Sequence, residues 1–282
     1  MAKLIATDLD GTLFYPKRRV RMISHRSLKF LRKWIDEGNK VTLVSGRNQE
    51  YCEKVLRKID RPVDIIGCNS SYIIHDGKMI KESFFDADRL AIILEEIKAK
   101  YHPKAIMIMT GDKNFISKRS ITDAWYTLGY KFWYFFQGVY REKFFISDKK
   151  FDSAIKSGKV YKVMIMFGIN KKAKLKALQA NKEIRKEYSK DLEASWSEQM
   201  IELSPFDCSK ASGLKYYANY LMINHSDVYV VGDSGNDISM FNEFYENSYC
   251  MQRAPLSVSK YANHVIKHFW ELEKYIAKKG SN

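Results

Sequence analysis

Four short groups of residues are equipped for chemistry. The first, Asp8-Leu9-Asp10-Gly11-Thr12-Leu13, opens on two carboxylates two positions apart. On a continuing strand they would point the same way, but a turn at Gly11 is expected to splay them. Such a loop offers carboxylate and carbonyl oxygens, the hard ligands that suit Mg²⁺. A second acidic group, Asp233 and Asp237, lies in Gly232-Asp233-Ser234-Gly235-Asn236-Asp237. Ser45-Gly46-Arg47 supplies a hydroxyl and backbone N–H groups of the kind that hold a phosphate near a helix start. Lys210 precedes the apolar positions Leu214, Tyr217 and Leu221 and could offset an acidic cluster and an anionic substrate. Carboxylates brought together resist simultaneous ionisation unless a cation stands among them. Each fragment alone is ordinary turn or surface chemistry. Their combination carries the weight, because they sit where strands end.

The elements that must position these groups follow from apolar periodicity. Residues 3–7 form a short apolar run suited to a buried parallel strand. Ser24 is placed to cap a helix with apolar Leu28, Leu31, Trp34 and Ile35, and Gly38 ends it. Residues 41–44 read as a second strand. Tyr51, Val55 and Ile59 share one face of the next helix, which Pro62 stops, and residues 63–68 read as a third strand. Strands alternating with helices predict a parallel sheet with right-handed crossovers. Residues 72–80 read as a hairpin turning at Asp76-Gly77. The rhythm then changes. A helix over 88–100, strands over 105–110 and 162–167, a charged helix over 171–188 and an aromatic-rich stretch over 125–145 suggest an inserted α+β unit from about 83 to 203. The strand–helix rhythm returns at 228–231, which runs into the second acidic group and a helix through Met240 and Phe241. In an open parallel sheet the C-terminal strand ends form the binding edge, so both acidic groups belong to one edge if their strands are neighbours.

Composition limits the alternatives. The chain has 282 residues, 45% hydrophobic and 29% charged, which suits one large or two ordinary domains and excludes wholesale disorder. No apolar run approaches the roughly 20 residues that span a bilayer. Asp8 arrives before a secretory apolar core could form, so no signal peptide is expected. Cys52, Cys68, Cys208 and Cys250 are widely spaced, which supports neither a zinc site nor a disulfide framework; a reducing, cytoplasmic setting is expected. The net charge of +15 could draw nucleic acid, anionic lipid or a phosphorylated small molecule. It is spread along the chain, which reads as solvated lysine-rich helix faces more than a dedicated nucleic-acid surface. No nucleic-acid or membrane partner is expected, and no oligomeric state is marked.

Asp-Leu-Asp-Gly-Thr-Leu at 8–13 resembles the first motif of the haloacid dehalogenase superfamily, and Gly-Asp-Ser-Gly-Asn-Asp at 232–237 resembles the fourth. Ser45 with Gly46-Arg47 is similar to the second motif and Lys210 to the third-motif lysine. Ile201-Glu202-Leu203-Ser204-Pro205 and Ala262-Asn263-His264-Val265 are similar to the Cof-type branch. Two departures stand out: Asn69-Ser70 where the family commonly has Asn-Gly, and Ala211 where Gly commonly follows the lysine. The resemblance implies an α/β fold with a Rossmann-like parallel-sheet core, residues 1–82 and 204–282, and an inserted α+β cap domain, residues 83–203.

The resemblance also implies phosphoryl transfer through an aspartyl-phosphate. Asp8 is the implied nucleophile, and Asp10 the acid that protonates the leaving oxygen and then activates water. The implied Mg²⁺ ligands are the Asp8 carboxylate, the Asp10 backbone carbonyl and Asp233. Ser45, backbone N–H groups near Gly46 and Arg47, and Lys210 hold the phosphoryl group. Asp237 orients Lys210 or a metal-bound water, and Asn236 touches substrate or orders its loop. The inserted unit is expected to act as a lid. Trp125, Tyr126, Tyr130, Trp133, Tyr134 and Phe135 are expected to pack its core more than line a pocket, and Arg119, Arg141 and Lys143 are candidates for a second anionic group. The expected activity is a Mg²⁺-dependent phosphatase acting on a small phosphorylated metabolite, with sugar phosphates first. The alternatives are a phosphomutase of the same superfamily and a non-catalytic basic module that binds nucleic acid.

Overall fold

The computed structural model describes residues 2–15, 23–111, 114–117, 125, 128–129, 143–197 and 200–279. The chain forms two compact units, Met1–Ile80 with Lys210–Asn282, and Lys81–Ser209.

The first unit is organised on a sheet of strands β1 (Leu4–Thr7), β2 (Lys40–Val44), β3 (Asp64–Gly67), β4 (Tyr72–His75), β5 (Lys78–Glu82), β12 (Val228–Gly232), β13 (Ser248–Met251) and β14 (His264–Ile266). Among the described residues its order is β14-β13-β12-β1-β2-β3-β4-β5. β1 pairs in parallel with β2 on one side and β12 on the other, with Thr7 opposite Leu43 and Val231. The register brings Asp8, Ser45 and Asp233 to one edge, each just past its strand's last residue. β1 and β12 are buried at every position. Unbroken apolar runs are what a parallel strand covered on both faces requires. Leu4, Ala6, Val44, Ile66, Leu214, Tyr217, Val228, Val230 and Phe241 share one core cluster. Each large side chain there contributes about 1.5–3 kcal/mol by leaving water.

Helix α1 (His25–Asp36) starts where Ser24 Oγ accepts from the Ser27 N–H, as its sequence predicts. It buries Ser27, Phe30, Leu31 and Trp34, while Leu28 and Ile35 are only half-buried. The buried stripe is thus rotated from the expected one. Phe30 packs tilted against Phe269 and Trp34 edge-on against Tyr229, and these large rings set the rotation. Helix α2 (Gln49–Ile59) is capped by Asn48 and buries Tyr51, Cys52, Val55 and Ile59.

The loop after β3 carries an unusual backbone. Cys68, Asn69 and Ser70 all take positive φ, with Ser70 at +82°. Ser70 is fully buried, and its Oγ has no hydrogen-bond partner among the described residues. Its room comes from helix α6 (Lys210–Tyr220): a Cβ on Gly213 would lie 2.1 Å from Ser70 Cβ. Ser70 and Gly213 are therefore a fitted pair. Gly213→Ala is expected to destabilise by about 2–3 kcal/mol through overpacking. Ser70→Gly is expected to stabilise by about 1 kcal/mol by relieving the left-handed strain and the orphaned hydroxyl. In the Ser70→Gly background most of the Gly213→Ala penalty should vanish, and urea denaturation of the four proteins measures that coupling. Ala211, the other departure, has no positive φ and sits on an ordinary helical backbone.

α6 is held further along by Tyr217, whose hydroxyl donates to buried Asp64 at the start of β3. Asp64 also contacts His75 Nδ1 at 3.0 Å and accepts from the Asp76 N–H at 2.9 Å. These contacts fix the helix that begins at Lys210.

In the second unit the sheet order is β10 (Leu192–Ser197), β11 (Met200–Pro205), β9 (Val160–Met166), β6 (Ala105–Thr110), β7 (Asn114–Ser117), β8 (Lys143–Ile146). Helices α3 (Ala87–Tyr101), α4 (Asp148–Lys156) and α5 (Lys171–Glu187) share a core with alternate strand residues, among them Ile106, Ile108, Val163, Ile165, Ile201 and Leu203. Trp125 is 72% exposed, which corrects the expectation that it packs in this core. The helices already cover the apolar face of the sheet. Tyr126, Tyr130, Trp133, Tyr134, Phe135, Arg119 and Arg141 lie outside the described residues, as does the side chain of Lys143. All four cysteines are buried. Among the described residues no helix is long and apolar enough to cross a membrane.

Candidate active site

The first motif leaves β1 through a wide turn, Leu9–Leu13, broken at Asp10 (ψ 99°) and Gly11 (φ +97°). The turn separates the two carboxylates. Lys210 Nζ donates to Asp8 Oδ1 at 2.7 Å, whereas Asp10 Oδ2 accepts from Arg47 Nε at 2.5 Å. Arg47 also lies over the ring of Tyr51, with 5.1 Å to its centroid. A guanidinium held on two sides orients the carboxylate it pairs with.

Lys210 is itself shared. Its Nζ donates to Asp237 Oδ1 at 2.6 Å, and Asp8, Lys210 and Asp237 are all buried. Asp237 Oδ2 accepts from the Asp233 N–H, the Ser234 N–H and the Ser234 hydroxyl. With Lys210 on one oxygen and the N–H groups of Asp233 and Ser234 on the other, Asp237 is engaged as an anchor for the lysine and the loop. Asp233 has partners of its own. Its Oδ1 accepts from Thr12 Oγ1 at 3.1 Å and its Oδ2 pairs with Arg253 Nη2 at 2.9 Å.

Burial dominates the electrostatics. The Asp8 carboxyl is pushed up to about 7 by desolvation, against Lys210 and with help from Asp237 and Asp233. Asp233 is pushed up to about 6 by burial and then by Asp237, with Arg253 opposing. Burial works against the Lys210 ammonium, yet Asp237 and Asp8 hold its pKa above the ordinary lysine range. Carboxylates forced this way gain from a further positive charge.

The donor set fits a hard divalent cation. Carboxylate oxygens of Asp8, Asp233 and Asp237 lie within 4.8 Å of one another, all buried and all oxygen. The expected ligand set takes Asp8 and Asp233 from this cluster and names the Asp10 backbone carbonyl where the cluster has Asp237.

The remaining predicted residues surround this cluster. Ser45 is buried, its N–H donates to Ile66 O, and its Oγ accepts from the Arg47 N–H at 3.2 Å. The hydroxyl proton is thus left to donate. Gly46 lies in the bend between these two residues. Asn236 accepts from Ser234 Oγ at 2.6 Å and donates to Asn69 at 3.5 Å, which ties its loop to the one after β3. Thr12 and Arg253 were not singled out by the sequence. Thr12 stands inside the first motif, so its signal was present without a role. Arg253 follows β13, a further strand end on the same edge, which is the only sequence feature that could have pointed to it.

Comparison with known proteins gives the chain its class. Residues 5–271 match the family of haloacid dehalogenase-like hydrolases, and the chain belongs to that family. A 5-amino-6-(5-phospho-D-ribitylamino)uracil phosphatase of Bacillus subtilis is 25% identical over 266 residues, covering 85% of this chain and 84% of that one. A crystal structure from Streptococcus mutans superposes with a TM-score of 0.80 at 20% identity, covering 98% and 100% of the two chains. A subclass IIB sugar phosphatase superposes with a TM-score of 0.73 at 17% identity, covering 99% of each.

Proposed function

We propose that the protein is a Mg²⁺-dependent phosphatase that hydrolyses a small phosphorylated metabolite, a sugar phosphate first, through an aspartyl-phosphate on Asp8. The observation that carries this reading is the division of labour between the two first-motif carboxylates. Asp8 is buried against Lys210 within the cation-sized cluster, while Asp10 is turned away onto Arg47. One is set to attack and the other to move a proton.

Asp8 attacks phosphorus and the leaving alkoxide departs, taking a proton from Asp10. Asp10 then removes a proton from the water that cleaves the acyl phosphate. Lys210 and the Ser45 hydroxyl meet the charge that grows on the phosphoryl oxygens. Asp237 keeps Lys210 aimed. When bound, Mg²⁺ supplies the positive charge that lets an anionic carboxylate approach an anionic phosphate.

Every residue of this constellation lies in the unit of Met1–Ile80 with Lys210–Asn282. None of them distinguishes one leaving alcohol from another, so we assign substrate choice to the inserted unit, Lys81–Ser209, acting as a cap. The names of two relatives, the uracil-type phosphatase and the sugar phosphatase, support a polyol or sugar phosphate. A panel of phosphomonoesters assayed with Mg²⁺ and with chelator tests the reading. Release that requires Mg²⁺ and favours sugar or ribityl phosphates is expected. An isomerised ester in place of free phosphate would make it a mutase. Salt-dependent RNA or DNA binding with no release would make it a binding module.

A further inference from the structure

Arg253 takes no part in the reaction above, yet its guanidinium sits on an oxygen of a proposed metal ligand. Arg253 Nη2 lies 2.9 Å from Asp233 Oδ2. The other oxygen, Oδ1, is taken by Thr12. Four carboxylates, Asp8, Asp10, Asp233 and Asp237, face three cations, Lys210, Arg47 and Arg253. When all are ionised only one net negative charge remains before any metal arrives. The protein thus largely neutralises its own metal site.

We infer that Arg253 and Mg²⁺ compete for Asp233: the guanidinium holds Oδ2 in the metal-free enzyme and leaves it when the cation binds. This rests on the reading of Asp8, Asp10 and Asp233 as the Mg²⁺ ligands.

Space and charge both argue for exchange over sharing. A Cβ on Gly11 would lie 2.3 Å from Asp233 Oδ2 and 2.8 Å from Arg253 Nη2. The carboxylate oxygen and the guanidinium thus fill the space over Gly11 that a side chain would take, and a divalent cation on that oxygen would meet a like charge at contact distance. Of the two partners of Asp233, Arg253 is the one able to move. Thr12 is fully buried within its turn, whereas the Arg253 side chain is 27% exposed on the turn after β13. Its guanidinium lies 6.0 Å from the ring centroid of Tyr15, an aromatic face onto which a displaced arginine can settle. The arrangement has a physical use. Asp233 is 5% exposed, and a carboxylate buried to that degree is strongly destabilising when left unpaired. Arg253 keeps it paired in the metal-free protein and weakens metal binding in return.

Titration calorimetry with Mg²⁺ alone, without substrate, reads the competition. Arg253→Gln is expected to bind Mg²⁺ about tenfold more tightly than the native chain. Arg253→Lys, which keeps the charge, is expected to stay closer to native. Arg253→Gln should also melt earlier in chelator and gain more on adding Mg²⁺. The Arg253 side-chain ¹⁵Nε–Hε signal, assigned by its loss in Arg253→Gln, should shift as Mg²⁺ saturates the native protein. Equal or weaker Mg²⁺ binding by Arg253→Gln, or an Arg253 signal unmoved at saturation, overturns the competition and leaves the ligand reading intact. Absence of Mg²⁺ binding by every protein overturns both.

Discussion

Asp8→Asn is expected to abolish phosphate release, by at least about 10⁴-fold, without unfolding the protein. The amide keeps the shape of the carboxyl and loses its nucleophilicity, so no acyl phosphate can form. The prediction for stability is opposite in sign. The Asp8 carboxyl rises from its unfolded value of 3.8 to about 7 in the folded chain, through burial above all. A group raised on folding stabilises below its unfolded pKa, and that contribution is lost as pH rises through the folded value. In metal-free protein Asp8 therefore weakens the fold progressively above about pH 4 and fully above about pH 7. Asn at this position never ionises and leaves Lys210 still paired with Asp237. Metal-free Asp8→Asn is thus expected to match the native protein near pH 4 and to melt above it near pH 8. Phosphate-release assays and melting curves at the two pH values check both halves. Retained turnover would remove Asp8 from the chemistry, and a lower melting point at pH 8 would contradict the electrostatics.

Lys210→Met should do the reverse, losing both activity and fold stability. Nζ makes contacts of 2.7 Å and 2.6 Å to two buried carboxylates, and removing it leaves them facing each other. Taking one member from a buried ionic cluster costs about 3–5 kcal/mol. The sign of the pH dependence follows. Without the ammonium the Asp8 carboxyl rises further, so the loss should be largest near pH 8 and shrink toward pH 4, where the carboxyls can be neutral. Denaturant unfolding across that range measures it, and a loss independent of pH would mean that Lys210 acts through packing alone. Mg²⁺ should return part of the stability, since a bound cation replaces some of the missing charge.

Much of this site was legible because its residues sit at strand ends. The apolar run ending at Thr7 announces the turn that carries Asp8, and the run ending at Val231 does the same for Asp233. Parallel neighbours β1 and β12 then bring these turns to one edge. Local chemistry also showed through in the Ser24 cap and in the turn at Asp76-Gly77, where both residues have positive φ. Features set by distant packing did not show. Phe30 joins the buried face of α1 because Phe269, far along the chain, completes its pocket. Arg253 meets Asp233 only because β13 lies beside β12, and one arginine among 48 basic residues carries no mark of that. Ser70 reads as a departure from a glycine position until Gly213 is seen opposite it. The compensation lies between residues too far apart for any local pattern to join.

The central claim is that phosphate passes through Asp8, and trapping the covalent intermediate tests it most directly. Enzyme turning over a good phosphomonoester with Mg²⁺ is quenched in acid, reduced with borohydride and digested. The peptide carrying Asp8 is expected to be the one in which aspartate is converted to homoserine, and the conversion is expected to be absent without substrate. Phosphate released at the full rate with Asp8 unmodified, or with a different residue reduced in its place, would contradict it.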